Sequence, residues 1–250
     1  MEFMMKILMQ SLLFGSVLFT SCAVIAAGSS HWTYTGSDGP VNWAKLTSEF
    51  QGCNGKNQSP VDLTGFIEAE LKPIKISYQA GGNEILNNGH TVQVNYAAGS
   101  SILVDGINFE LKQFHFHAPS ENHINGKSYP MEMHLVHADK DGNLAVVALM
   151  FEEGTENKEL AKIWPSIPAD VDAKNSLASP FAVAPLLPTN HDYYRFDGSL
   201  TTPPCTEGVR WLVLKKPVSV SQKQVEAFAH VIHHANNRPI QAINARTILQ

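Results

Sequence analysis

The segment Lys112-Gln113-Phe114-His115-Phe116-His117 sets two imidazoles one residue apart. On a β-strand alternate residues share a face, so Gln113, His115 and His117 point one way while Phe114 and Phe116 point the other. Two imidazoles on one face can grip a single ion. A second segment, Met131-Glu132-Met133-His134-Leu135-Val136-His137, repeats the pattern, with Glu132, His134 and Val136 on one face. The turn signal Asn125-Gly126 between them lets the two strands pair antiparallel. Three neutral imidazoles leave a fourth tetrahedral position for water, which is how a catalytic zinc site differs from a closed structural one. A metal-bound imidazole usually donates its other ring N–H to an acceptor. Gln113 beside His115 and Glu132 beside His134 are placed to be those acceptors.

Residue chemistry alone leaves alternatives. His115-x-His117 followed by Glu121 and then His134 also fits the loose pattern of a cupin, in which Glu121 is itself a ligand and the ion prefers higher coordination. A third reading is a secreted zinc-scavenging or adhesive protein without catalysis. Eleven histidines are present, and the others carry weaker signals. His230, His233 and His234 fall on a predicted C-terminal helix and read as a solvated face. His31 and His191 have no partner at a recognisable spacing. His137 faces away from His134 and reads as a hydrogen-bonded core residue.

The elements that must hold these side chains are mostly strands. Turn punctuation recurs at Gly81-Gly82, Asn87-Asn88-Gly89, Asp105-Gly106, Asn125-Gly126, Asp141-Gly142 and Asp197-Gly198. Between these turns lie short apolar or alternating runs: 91–96, 101–104, 109–117, 131–137, 144–151 and 209–214. Closely spaced strands bounded by turn residues predict a mainly β fold with peripheral helices, a single domain around a large, mostly antiparallel central twisted sheet. Helical pattern is confined to 157–163 and 221–234, the second with Ser221 as N-cap. No repeat, linker or charge block divides the chain.

The chain has 250 residues, 44 % apolar and 16 % charged, with net charge −5, enough to bury a sizeable core. Lys and Arg are few and scattered, which argues against a nucleic-acid partner. Lys6, the apolar run from Ile7 to Phe19 and small residues through Ala26, Ala27 and Gly28 have the layout of a secretory signal peptide over residues 1–28. That run is too short to span a bilayer comfortably, so no transmembrane segment is expected in the mature protein. Phe19-Thr20-Ser21-Cys22 resembles a lipoprotein cleavage box with an atypical first position, which keeps a lipid anchor at Cys22 as the minor alternative to a free periplasmic or extracellular protein. Beyond the leader only Cys53 and Cys205 remain, and in an oxidising compartment such a pair reads as one disulfide, the alternative being two buried thiols.

Further motifs decide among the metal readings. Ser199-Leu200-Thr201-Thr202-Pro203-Pro204-Cys205, Gln58-Ser59-Pro60-Val61, Asn87-Asn88-Gly89-His90 and the two histidine segments together closely resemble the α-class carbonic anhydrases, in the family's order, from about His31 to Ile248. A cupin predicts neither the Thr-Thr-Pro-Pro segment nor the Asn-Gly-His turn. Cys53 and Cys205 are similar in position to the disulfide of secreted bacterial members.

The resemblance implies a zinc-dependent carbonic anhydrase domain over residues 29–250 that interconverts carbon dioxide and bicarbonate. It implies Zn²⁺ held by His115, His117 and His134, with Gln113, Glu132 and the backbone of Asn236 behind them. Thr201 would orient the attacking hydroxide and give its own proton to Glu121. Val136, Val146, Leu200, Val209 and Trp211 match the family's apolar wall for carbon dioxide, though each would also pass as plain core, and Thr202 would contact bicarbonate or water. His90 matches the proton shuttle, expected as an exposed imidazole, with Tyr34, Asn88 and Gln93 ordering the water chain. Sulfonamides and anions are implied as inhibitors at the zinc, and a homodimer is a common state of bacterial relatives. Departures are Ala118-Pro119 where animal members commonly have Trp-Gly, and Asn237 where a Trp is common. A catalytically silent, zinc-binding or adhesive member remains the alternative, although no zinc histidine is lost.

Overall fold

The computed structural model describes residues 31–250. The leader expected over 1–28, with Cys22, lies outside the described residues. Thirteen strands occur among the described residues: β1 (Asp62–Leu63), β2 (Lys75–Ser77), β3 (Gly82–Asn87), β4 (Val92–Tyr96), β5 (Ser101–Val104), β6 (Ile107–His117), β7 (His123–Ile124), β8 (Met131–Ala138), β9 (Leu144–Glu153), β10 (Lys174–Phe181), β11 (Tyr193–Ser199), β12 (Glu207–Leu214) and β13 (Val218–Val220). Eleven of them form one large twisted sheet whose main path runs β10-β3-β4-β6-β8-β9-β12-β11. Most pairings are antiparallel; β9 pairs parallel with β12 and with β13.

The sheet separates two apolar layers, which explains the near-continuous apolar run of β9. Ala145, Val147, Leu149 and Phe151 face a large core together with Phe114, Phe116, Met133 and Leu135. Val146, Ala148 and Met150 face the other way, with Val209, Trp211 and Val213. Strands buried on both faces lose the clean alternation of a half-solvated sheet. His115 and His117 of β6 and His134 of β8 therefore stand out on the second face.

Among the described residues the α-helices are few and peripheral: α1 (Trp43–Leu46), α2 (Leu160–Ile163) and α3 (Gln222–Ile232). α1 carries no helical pattern in the sequence. α2 is shorter than the expected 157–163, because the Asn157 side chain accepts from the backbone of Glu159 and Leu160 and holds the first residues as a cap. α3 begins as expected, with Ser221 and Gln224 exchanging the two bonds of a capping box. It ends earlier than expected, since His233 takes the left-handed conformation at φ 64°. A residue there terminates the helix and redirects the chain. His234 is consequently not on a solvated helix face.

Candidate metal centre

β6 and β8 pair with His115 opposite His134, His117 opposite Glu132 and Gln113 opposite Val136. The hairpin's connection doubles back at Asn125 (φ 51°) and Gly126 (φ 76°), the two left-handed positions that a tight two-residue turn requires. This register gathers three imidazoles, whose nearest ligand nitrogens all lie within 4.8 Å of one another.

Each ring spends one nitrogen on a protein acceptor. His115 Nδ1 donates to Gln113 Oε1 at 2.8 Å. His117 Nδ1 donates to the backbone carbonyl of Asn236 at 2.7 Å. His134 Nε2 donates to Glu132 Oε1 at 2.9 Å. These bonds set the tautomers and leave Nε2, Nε2 and Nδ1 respectively as lone-pair donors. Buried His117 Nε2 has no hydrogen-bond partner. Burial pushes all three rings below the ordinary imidazole value, and for His115 and His134 the neighbouring imidazoles add to that. Three neutral, convergent, uncommitted nitrogens are the donor set that a tetrahedral zinc ion takes, with one position open.

Glu121 sits beside this set but is not one of the three-histidine group. Its Oε1 accepts from the backbone N–H of Arg238 at 2.8 Å, and its Oε2 lies 3.5 Å from His117 Nε2. Burial pushes its pKa up to about 8, opposed by the Arg238 N–H and the Thr201 hydroxyl. Thr201 is buried on the loop after β11. That loop is pinned by reciprocal Ser59–Ser199 bonds, Ser59 N–H to Ser199 Oγ at 2.9 Å and Ser199 N–H to Ser59 Oγ at 3.1 Å.

Val136, Val146 and Trp211 lie in one row across the sheet, each opposite the next. Leu200 and Val209 pack into the same cluster. Trp211 stands edge-on to His134, ring centroids 4.9 Å apart. An apolar wall thus adjoins the three histidines. Thr202 is half-buried one residue beyond Thr201. Gln93 pairs opposite His115 and donates to Asn95. Asn88 Oδ1 is occupied by the backbone N–H groups of His90 and Thr91, so Asn88 shapes the turn that presents His90. Tyr34 is buried among Trp32, Trp43 and His90.

His90 departs from its expected exposure. It is half-buried and stacked on Trp32, with centroids 3.7 Å apart and planes 9° from parallel. Burial lowers its pKa, His234 and His31 lower it further, and Asp172 opposes them. Cys53 and Cys205 form a disulfide.

Comparison with known proteins agrees with this geometry. The profile of the eukaryotic-type carbonic anhydrase family matches residues 38–250. A carbonic anhydrase of Pectobacterium atrosepticum is 50 % identical over 94 % of this chain and 97 % of its own length. The chain belongs to the α-carbonic anhydrase family of enzymes. Two solved carbonic anhydrases superpose closely. One, a hyperthermostable enzyme from an active hydrothermal vent chimney, is 53 % identical with TM-score 0.86, covering 88 % of this chain and 99 % of that one. The other, the α-carbonic anhydrase of Thermovibrio ammonificans in complex with the inhibitor sulfanilamide, is 47 % identical with TM-score 0.87, covering 89 % and 100 %. Family membership removes the cupin alternative.

Some residues of this carbonic anhydrase site do not stand out in the sequence. Arg238 is fully buried, and its guanidinium donates to Gln58 Oε1 and the Ser59 carbonyl at 2.8 Å each and to the Cys53 carbonyl at 3.0 Å. Gln58 Nε2 in turn donates to the Cys205 carbonyl at 3.1 Å. Arg238 therefore ties the disulfide to the loop bearing Thr201 and, through its own N–H, to Glu121. Nothing in Asn236-Asn237-Arg238-Pro239 marks this arginine as buried, since its acceptors come from segments distant in sequence. His234, read from the sequence as part of a solvated helix face, is placed elsewhere by the early end of α3.

Proposed function

We propose that the chain catalyses the reversible hydration of carbon dioxide to bicarbonate and a proton, with His115, His117 and His134 holding zinc. The observation that carries this reading is the division of labour among six ring nitrogens: three are committed to Gln113, Asn236 and Glu132, and three converge uncommitted. When bound, zinc supplies a Lewis acid that lowers the pKa of a water ligand to about 7, as is established for carbonic anhydrase.

The chain's own residues then orient and exclude. Glu121 is charged when its histidine neighbours hold a dication, since an opposite charge nearby offsets burial. A charged Glu121 only accepts, so Thr201 gives its hydroxyl proton that way and receives a hydrogen bond from the attacking hydroxide. Anions that lack a proton cannot make that bond. Val136, Val146, Leu200, Val209 and Trp211 offer carbon dioxide an apolar surface without competing hydrogen bonds, and Thr202 receives bicarbonate at its edge. His90 carries the released proton outward, with Tyr34, Asn88 and Gln93 lining its path. Imidazole suits this task because its unperturbed pKa is the side-chain value nearest neutrality.

Sulfonamides and inorganic anions are expected to inhibit by occupying the same centre, and the Thermovibrio enzyme forms a complex with the inhibitor sulfanilamide. The disulfide and the leader expected over residues 1–28 support a periplasmic or extracellular location. Among the described residues no helix is long and apolar enough to cross a membrane. The deciding test is stopped-flow carbon dioxide hydration by purified protein before and after a strong zinc chelator. Fast hydration that vanishes with the metal and returns with zinc is expected. No hydration with one zinc bound per chain would instead establish a silent, binding-only member.

A further inference from the structure

His234 plays no part in the proposed hydration, yet the end of α3 delivers it to the His90 turn. Its Nε2 donates to the backbone carbonyl of Gly89 at 3.2 Å, and its Nδ1 faces the carbonyl of Ala235 at 3.1 Å. Carbonyl oxygens only accept. A neutral imidazole has one N–H and satisfies one of them, whereas an imidazolium satisfies both. His234 therefore has an acceptor carbonyl beside each ring nitrogen.

Its surroundings connect it to the shuttle. The Tyr34 ring is near both histidines, with its centroid 5.6 Å from His234 and 6.4 Å from His90. One face of His90 is covered by Trp32. The stack covers a ring face and so fixes the plane in which the His90 nitrogens give and take protons.

We propose that His234 is a second proton carrier that takes the proton from His90 and hands it to external buffer. The proposal rests on the reading of His90 as the shuttle. In the step, His90 returns to neutral imidazole and its proton completes His234 as imidazolium through intervening water. A buffer base then removes that proton and restores neutral His234. The groups whose charges act on His90 are His234, His31 and Asp172, and Tyr34 is near both rings. A positive charge on His234 or His31 lowers the proton affinity of His90, while Asp172 raises it. Mutual repulsion keeps both rings from holding protons together and so favours release.

The test compares zinc-loaded wild type with His234→Gln, His234→Ala and His90→Ala in carbon dioxide hydration at low and high buffer. His234→Gln keeps an N–H for the Gly89 carbonyl but cannot carry a proton. It is expected to lower kcat severalfold at low buffer, to spare kcat/KM, and to be rescued by added imidazole. Nuclear magnetic resonance titration of His90 in the same variant should show its midpoint moving up, because a repulsive partner is gone. If His234→Gln retains full kcat at low buffer while His90→Ala loses it, His234 merely holds the turn, and the proposal falls while the His90 reading stands. The proposal falls in the same way if only His234→Ala is impaired. If His90→Ala also keeps full kcat, the shuttle reading fails and takes this one with it.

Discussion

Glu132 joins His134 to the loop that carries Glu121. Its carboxylate accepts from His134 Nε2 at 2.9 Å, from the backbone N–H groups of Glu121 and Asn122 at 2.7 and 2.8 Å, and from Asn122 Nδ2 at 2.8 Å. One buried side chain thus sets the tautomer of a proposed metal ligand and the position of a neighbouring carboxylate. Four donors converging on it suit a carboxylate and leave no place for an amide's own N–H groups.

Glu132→Gln is therefore expected to weaken zinc binding by about 10- to 100-fold, the usual scale for a lost partner of a ligating histidine. Competition with a chromophoric chelator measures this directly. Wild-type affinity in the variant would remove Glu132 from the support of the site.

Thr201→Ala should reduce both kcat and kcat/KM, by roughly 100-fold, the scale on which misorientation of a reacting group costs rate. Inhibition by simple anions should strengthen at the same time, since the hydroxyl that rejects them is gone. Thr201→Ser keeps the hydroxyl and should recover most of the loss. A serine variant as slow as the alanine one would show that the methyl group, not the hydrogen bond, matters.

The Cys53–Cys205 bond closes a loop with a sequence separation of 152 residues. By the chain-entropy argument it contributes up to about 5 kcal/mol to stability. Urea unfolding of the oxidised protein and of a Cys53→Ala/Cys205→Ala variant should differ by a large part of that amount. Coincident midpoints would mean that the unfolded chain gains little freedom when the bond is removed.

His137 makes stability depend on pH. It is buried, donating from Nδ1 to the Ala145 carbonyl at 3.3 Å and paired through Nε2 with the Tyr78 hydroxyl at 2.7 Å. Burial pushes its pKa from 6.5 down to about 4. Between those values the unfolded chain binds the extra proton and the folded one does not, so folding stability is full above pH 6.5 and falls as pH drops towards 4. The loss sums to about 3 kcal/mol. His137→Gln should flatten the dependence of stability on pH in this window, read by chemical denaturation at several pH values. An unchanged slope would assign the acid sensitivity to other groups.

The two histidine strands were legible because a strand's side chains alternate with a period of two that can be counted along the chain. That period placed Gln113 with His115 and Glu132 with His134, and the structure has those pairs in hydrogen-bond contact. The bounds of α3 were half legible. A capping box is a local contact between Ser221 and Gln224, three residues apart, while its end depends on His233 adopting a left-handed conformation that nothing in the local pattern demanded. For the same reason His234 was misplaced on a solvated helix face, and the exposure expected of His90 missed the Trp32 stack.

By itself the sequence determined the β-rich class, the three convergent imidazoles and their polar neighbours within each strand, because these depend on residue type and short-range periodicity. Only the tertiary structure decided that Arg238 would thread between Gln58, Ser59 and Cys53, and that His234 would meet Gly89 across 145 residues of chain. Those contacts join segments far apart in sequence, and a buried donor's choice of acceptor is settled by which backbone carbonyls the folded chain brings within reach.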